Sequence, residues 1–345
     1  LAHTLKKNYP PVILYLMLIF SVPAIILNIG ADIAGMGAVA NLLLPQIPSF
    51  VFSFLFTGIL MGSIILFPYQ KIAGILKWLC LSVLLYLVVP FIVHVDWKQV
   101  FIYTFIPHIK FNKTFIEMVV AILGTTISPY LFFWQATMEA EDLEHNLKKV
   151  IVDKRIMQNM TADVNTGMFA SNLVMLFIIL TTGVVLYNAG VHQIDTVDQA
   201  AKALAPLAGK FSYFCFALGV IGTGFLAIPV LTGSLSYILA ESFGWVEGLD
   251  KKFNEARAFY IVIIISLIIG LLINVLGISP MQALIFTAIL YGITAPVMIA
   301  VILHIGNNKK IMGGFTNSRL SNLLGFFTFI LMTAAAGVLI YFQFK

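Results

Sequence analysis

The 345-residue chain is 60% hydrophobic and only 10% charged, with a mean hydropathy of +1.00. A water-soluble domain is about half apolar and about a quarter charged, so this composition excludes one and makes the lipid bilayer the natural solvent. The net charge of +5 comes without a basic stripe interleaved with aromatic residues, which argues against a nucleic-acid surface.

The chain opens on Leu1–Pro10, which has no start methionine and no signal-peptide pattern and reads as a loop between two helices. On that reading the sequence is a fragment lacking its first helices. Nine apolar stretches follow, each approaching or exceeding the roughly 20 residues that cross a hydrocarbon core: 12–43, 49–67, 72–94, 116–138, 166–188, 212–240, 257–276, 281–304 and 320–343. The first is long enough to require tilt or extension past the membrane. Backbone amides in lipid must find partners inside the segment, so the spans are helices and the protein is an all-α polytopic membrane protein. With the N-terminus in the cytoplasm, alternation puts fourteen lysines and arginines in cytoplasmic segments and six outside, the asymmetry expected of that orientation.

Polar residues inside the spans are costly in lipid and carry most of the functional information. Asp32 is the one acidic residue deep in a span, in the run Asn28-Ile-Gly-Ala-Asp32-Ile-Ala-Gly35-Met-Gly37. Asn28 lies one turn earlier on the same helix face, and the glycines permit close helix contact. The pair is either structural glue or part of an ion or proton pathway, and an intramembrane carboxylate favours the pathway. In the middle of span 116–138 stands Gly124-Thr-Thr-Ile-Ser-Pro-Tyr130. Pro129 has no amide hydrogen, and Gly124 with two β-branched threonines further weakens the helix, which predicts a break. Such a break is either a kink satisfied by the neighbouring hydroxyls or a cavity lining in which carbonyls and Thr125, Thr126 and Ser128 offer hard oxygens to a cation.

Other features have plainer readings. Asn172 and Thr223 could line the path but are read as helix glue. Glu139, Glu141, Asp142 and Glu144 are read as a solvated connector, with an acidic vestibule as the alternative. Gly222 and Gly224, like Gly35 and Gly37, are read as packing glycines, and the six histidines and two cysteines lack metal-ligand spacing. A nucleophile elbow, a P-loop and paired catalytic carboxylates are all missing from the sequence, so no enzyme is predicted.

The run Gly124-Thr-Thr-Ile-Ser-Pro-Tyr-Leu-Phe-Phe-Trp-Gln-Ala136 resembles the broken sixth helix of the Nramp family of divalent-metal transporters, whose typical pattern is Gly-Ala-Thr-Val-Met-Pro-His-Asn-Leu. Similar matches run through Asn28–Leu44, Gly219–Trp245 and Ile278–Gly313, so the resemblance spans essentially the whole chain. It implies a LeuT-like inverted-repeat fold, with 12–94 as the remainder of the first repeat, 116–304 as the second, and 320–343 as an added helix. It also implies a bacterial inner-membrane transporter of manganese or iron by alternating access. The divalent ion is the substrate and no resident cofactor is called for. The same fold with an organic substrate such as an amino acid is the alternative.

Carried over residue by residue, the resemblance assigns the substrate ion to the Thr125 carbonyl and to Ser128, and the ion or proton pathway to Asn28, Asp32, Thr126 and Tyr130. Ser128 stands where the family has a methionine. A hydroxyl is a hard ligand where a thioether is soft, which admits magnesium beside manganese. The family's histidine matches Tyr130, its third-helix glutamate matches Gly35, and its tenth-helix glutamine matches Ala288 or Thr294. Span 257–276 has no arginine beyond Arg257 at its edge, so the resemblance leaves proton coupling open.

Overall fold

The computed structural model describes residues 1–67, 74, 78–93, 95–106, 111–146, 154–194 and 196–343. Among them every regular element is helical. The principal helices are α1 (Ala2–Asn8), α2 (Pro11–Leu43), α3 (Ser49–Leu66), α4 (Leu85–Ile92), α5 (Trp97–Phe105), α6 (Lys113–Ile127), α7 (Pro129–Asn146), α8 (Lys154–Thr182), α9 (Ser212–Phe243), α10 (Arg257–Val275), α11 (Pro280–Asn307) and α12 (Arg319–Gln343).

Helix limits follow local chemistry. Pro11, Pro129 and Pro280 occupy first helical positions, where a missing amide hydrogen costs nothing. Asp96, Asn112 and Ser279 cap α5, α6 and α11 by accepting the amides of Gln99, Phe115 and Gln282 at 3.1, 2.8 and 3.3 Å. At the end of α9, Gly244 takes φ 77°, and the amides of Gly244 and Trp245 both bond the Ala240 carbonyl, at 2.7 and 2.9 Å. A residue with a Cβ would be strained in that left-handed cap.

Eight helical segments among the described residues are long and apolar enough to cross a membrane, where the sequence predicts nine. The ninth stretch, 72–94, lies partly outside the described residues; its described part is a 3₁₀ turn, Leu79–Leu84, running into α4. Span 166–188 begins earlier than expected, at Lys154, and ends in a π-turn at Gly183–Tyr187. The loop expected over Leu1–Pro10 is instead a helix over Ala2–Asn8. Its two buried apolar side chains, Ala2 and Leu5, join the main core, and docking supplies what seven isolated residues could not.

Helix α2 is the hub, packing against α3, α9, α10 and α11. In lipid the drive for such packing is close van der Waals contact, so small residues mark the crossings. At α2–α10, a Cβ on Gly30 would lie 3.0 Å from the Gly270 carbonyl. At α2–α3, one on Gly37 would lie 2.7 Å from the Ser49 carbonyl, and at α2–α9 one on Gly224 would lie 2.5 Å from the Met36 sulfur. At α6–α11, one on Gly124 would collide with the Ala288 carbonyl, and 2.8 Å away would stand the Gly292 Cα. The packing reading of Gly37 and Gly224 therefore holds, whereas a side chain at Gly35 would meet nothing within 4 Å.

Candidate substrate-ion site

The predicted break is present. Helix α6 ends at Ile127, Ser128 leaves the helix with φ 7° and ψ 96°, and α7 restarts at Pro129. The Ser128 amide closes the last turn onto Gly124 O at 2.9 Å. Pro129 has no hydrogen to offer the Thr125 carbonyl, and the Ser128 hydroxyl donates to it instead, at 2.6 Å. The Leu131 amide bonds Ser128 O at 3.0 Å, three residues back rather than four, which removes a helical donor from Ile127 O.

The hydroxyls divide by position. Thr125 and Thr126 both donate to Ile122 O, at 3.0 and 2.7 Å, and Thr126 Oγ1 also lies 3.8 Å from the sulfur of Met175 on α8. Ser128 is 6% exposed, Thr126 half-buried and Thr125 exposed. The hydrogen bonds are those of the kink reading. The hydroxyls do satisfy carbonyls of the broken turn, yet Ser128 gives Thr125 O only its proton. Its oxygen lone pairs, and a second lone pair on Thr125 O, stay available to a cation.

Asn28 and Asp32 on α2 are half-buried, as is Tyr130, two residues past the break. Asp32 is within charge range of Tyr130 and of Tyr291 on α11, and the Asn28 side chain approaches the Tyr291 hydroxyl. The two rings lie 5.7 Å apart between centroids, inclined at 44°. The break, Asp32, Asn28 and Tyr130 therefore share one neighbourhood, and Tyr291 is a member that the sequence reading missed. Ala288 and Thr294 bracket it on α11. The Ala288 carbonyl is taken up in the contact with Gly124, and Thr294 donates to Leu290 O and Tyr291 O within its own helix, at 3.0 and 3.1 Å.

Two expectations change. Among the described residues the hydrogen bonds of Asn172 and Thr223 do not cross between helices: Asn172 donates to Met168 O at 2.7 Å and Thr223 to Gly219 O at 2.8 Å, each within its own helix. Such internal bonds replace an interhelical partner. The acidic segment after the break is not simply a solvated connector either. Helix α7 continues to Asn146, and Tyr237 of α9 donates to both oxygens of Glu141 at 2.9 Å while accepting the Leu249 amide at 3.0 Å. Thr137 donates to Glu241 Oε1 at 2.8 Å, and the His3 amide donates to Glu241 Oε2 at 2.6 Å. His3, Thr137, Glu141, Glu241 and Glu247 line a cavity of about 680 Å³ between α1, α7 and α9. Asp142 and Glu144 have side chains outside the described set.

In that cavity one oxygen of Glu247 is fully buried and, among the described residues, has no hydrogen-bond partner. Burial, followed by the charges of Glu241 and Glu141, raises its carboxyl from 4.5 to about 7. A carboxyl raised on folding binds its proton more tightly in the folded state. Stability is therefore unaffected below about pH 4.5 and is progressively lost as pH rises toward 7. Glu247→Gln is expected to raise the melting temperature in detergent at pH 8, by the equivalent of roughly 1–2 kcal/mol after solvent screening of a half-exposed group is allowed for. At pH 4.5 the difference should vanish, and an equal gain at both pH values would contradict this assignment.

The comparisons with known proteins now bear on this geometry. The family model described as "Natural resistance-associated macrophage protein-like", Nramp, matches residues 1–342. The chain belongs to the Nramp family. Among curated relatives, the divalent metal cation transporter MntH of Caldanaerobacter subterraneus subsp. tengcongensis is 27% identical over 263 residues, covering 74% of this chain and 57% of that protein. The protein of the same name from Clostridium acetobutylicum is 25% identical over 267 residues, covering 75% and 57%. The chain thus spans little more than half the length of these relatives. Two mutants of the manganese transporter of Eremococcus coleocola have the same fold, with TM-scores of 0.69 and 0.71 at 16% identity, each alignment covering 97% of this chain and 72% of that one. The architecture is the LeuT-like arrangement of Nramp transporters.

Proposed function

We propose that this protein is a secondary transporter of divalent metal cations that works by alternating access, the broken-helix bundle rocking against the scaffold. The observation that carries this reading is the α6–α7 break. A Nramp chain here places the Thr125 carbonyl and the Ser128 hydroxyl at mid-helix, in one neighbourhood with Asp32, the one deep carboxylate. Both oxygens are hard ligands, so the ions served are manganese, iron and also magnesium. Names of the matched relatives speak for metal cations, and nothing in the site favours an organic substrate.

The membrane is the bacterial inner membrane, with the chain's first residues on the cytoplasmic side. Lysine and arginine placement supports this orientation, and the convergence of α1, the end of α7 and the end of α9 on one cavity agrees with the alternation that puts all three on the same side. Protons are proposed to travel with the ion through Asp32.

The test is manganese uptake into liposomes holding the full-length protein, with excess magnesium as competitor. Magnesium is expected to suppress uptake by the unmodified protein, and Ser128→Met to restore manganese preference by about tenfold, the effect of exchanging a hard ligand for a soft one. Uptake indifferent to magnesium in both proteins would remove Ser128 from the ion's coordination shell. No uptake of any divalent ion would overturn the transport reading itself.

A further inference from the structure

Tyr291 is one of the three largest side chains buried to within 2% of complete exclusion, yet among the described residues its hydroxyl has no hydrogen-bond partner. A buried hydroxyl normally finds one, because leaving it unpaired forfeits its hydration with nothing in return. The usual explanation, a misfit at a loose position, does not apply. Tyr291 immediately precedes Gly292, whose backbone presses on Gly124 at the α6–α11 crossing. Its ring is also held against Tyr130, 5.7 Å away. The backbone and the ring are both fixed, so the hydroxyl is aimed.

It is aimed at the candidate site. The Asn28 amide lies close enough to act on the phenol oxygen as a donor, short of a well-formed hydrogen bond, and Asp32 is within charge range, so what the hydroxyl lacks is an acceptor for its own proton. A phenol with an amide near its oxygen, a carboxylate in range and no acceptor for its proton is arranged for a small third party that can accept. Water does this, including water on a divalent cation.

We propose that Tyr291 is a substrate-positioning residue, whose hydroxyl hydrogen-bonds hydration water of the passing divalent ion and so links the α6–α7 break to Asn28 and Asp32 on α2. The assignment rests on the transport reading above. Tyr130 then acts as the wall that fixes the Tyr291 ring, and the Gly124–Gly292 contact as the clamp that fixes its height.

The experiment uses Tyr291→Phe in the full-length protein, which removes one oxygen and keeps the ring. Two quantities are read: manganese uptake kinetics in liposomes, and the melting temperature in detergent with and without manganese. The KM for manganese is expected to rise about fivefold, the effect of one lost net hydrogen bond, with the maximal rate nearly unchanged. The manganese-induced rise in melting temperature should shrink, since stabilisation by a ligand follows its affinity. Without manganese, the melting temperature should stay level or rise, because the variant no longer buries an unpaired hydroxyl. That last result separates positioning from structure. A variant that melts earlier without manganese, or fails to fold, would show the hydroxyl to be a structural partner and would overturn the proposal. So would an unchanged KM together with an unchanged manganese-induced shift. If the unmodified protein itself shows neither uptake nor a manganese-induced shift, the transport reading fails and this inference with it. Uptake by the unmodified protein equalled by Tyr291→Phe defeats the inference alone.

Discussion

Gly124→Ala should leave most of the protein aggregated or melting far below the unmodified chain. The added methyl group would collide with the Ala288 carbonyl and the Gly292 amide, and the Gly292 Cα would stand only 2.8 Å away. All three are backbone atoms, which cannot swing aside as a side-chain tip can. Ordinary overpacking costs about 1–3 kcal/mol, and a backbone collision at a helix crossing should exceed the upper end of that range. The expected cost is reciprocal: Gly292→Ala drives a Cβ to 2.6 Å from the Val120 carbonyl, so either substitution should force α6 and α11 apart. Gly58→Ala and Gly62→Ala are the controls, because a Cβ there meets nothing within 4 Å. They should be neutral, or slightly stabilising through helix propensity. Size-exclusion profiles and melting temperatures in detergent would decide it. A monodisperse Gly124→Ala protein that melts with the unmodified one would mean that the two helices do not cross at this point.

That crossing also explains what could and could not be read from the sequence. The break at Ser128 was legible because proline's missing amide is a property of one residue, and Gly124 with the threonines reinforced it locally. Most spans were legible because composition alone marks them. Gly37 and Gly224 could be assigned to packing, but nothing distinguished them from Gly35, since whether a glycine faces a neighbour depends on how another helix lies. Helix α1 was not legible because its only apolar side chains in the core are Ala2 and Leu5, and its stability comes from the core they enter. The ties from α7 to α9 were hidden for a similar reason. Thr137 and Glu241 are 104 residues apart, and Tyr237 and Glu141 are 96 apart, with no local pattern linking them. Tyr291 escaped because a tyrosine in an apolar run reads as packing, and its partner Tyr130 belongs to another helix. The family resemblance pointed to Ala288 or Thr294 on α11 and not to Tyr291, which lies between them.

Asp32→Asn should reduce divalent-cation uptake at least tenfold while leaving the fold intact. Asparagine has the shape of aspartate, so the packing of α2 against α9 and α11 is preserved. What disappears is the one negative charge deep in the spans, beside Tyr130 and Tyr291. The attraction between a divalent ion and a carboxylate in the same site amounts to a few kcal/mol at an effective dielectric constant near 20. Displaced water offsets part of that, and a tenfold loss corresponds to only about 1.4 kcal/mol. Stability should not fall, because a half-buried charge that the fold must desolvate is being removed. Asp32→Glu keeps the charge and should retain more uptake than Asp32→Asn, which tells charge from shape. The pH dependence then separates the two roles open to the carboxylate. If Asp32 carries the coupled proton, the residual uptake of Asp32→Asn should no longer vary with external pH. If it only attracts the ion, uptake should fall by the same factor at every pH above the carboxylate's titration. Unaltered uptake with an unaltered pH profile would take Asp32 out of the path, leaving the α6–α7 break to bind the ion with backbone and hydroxyl oxygens alone.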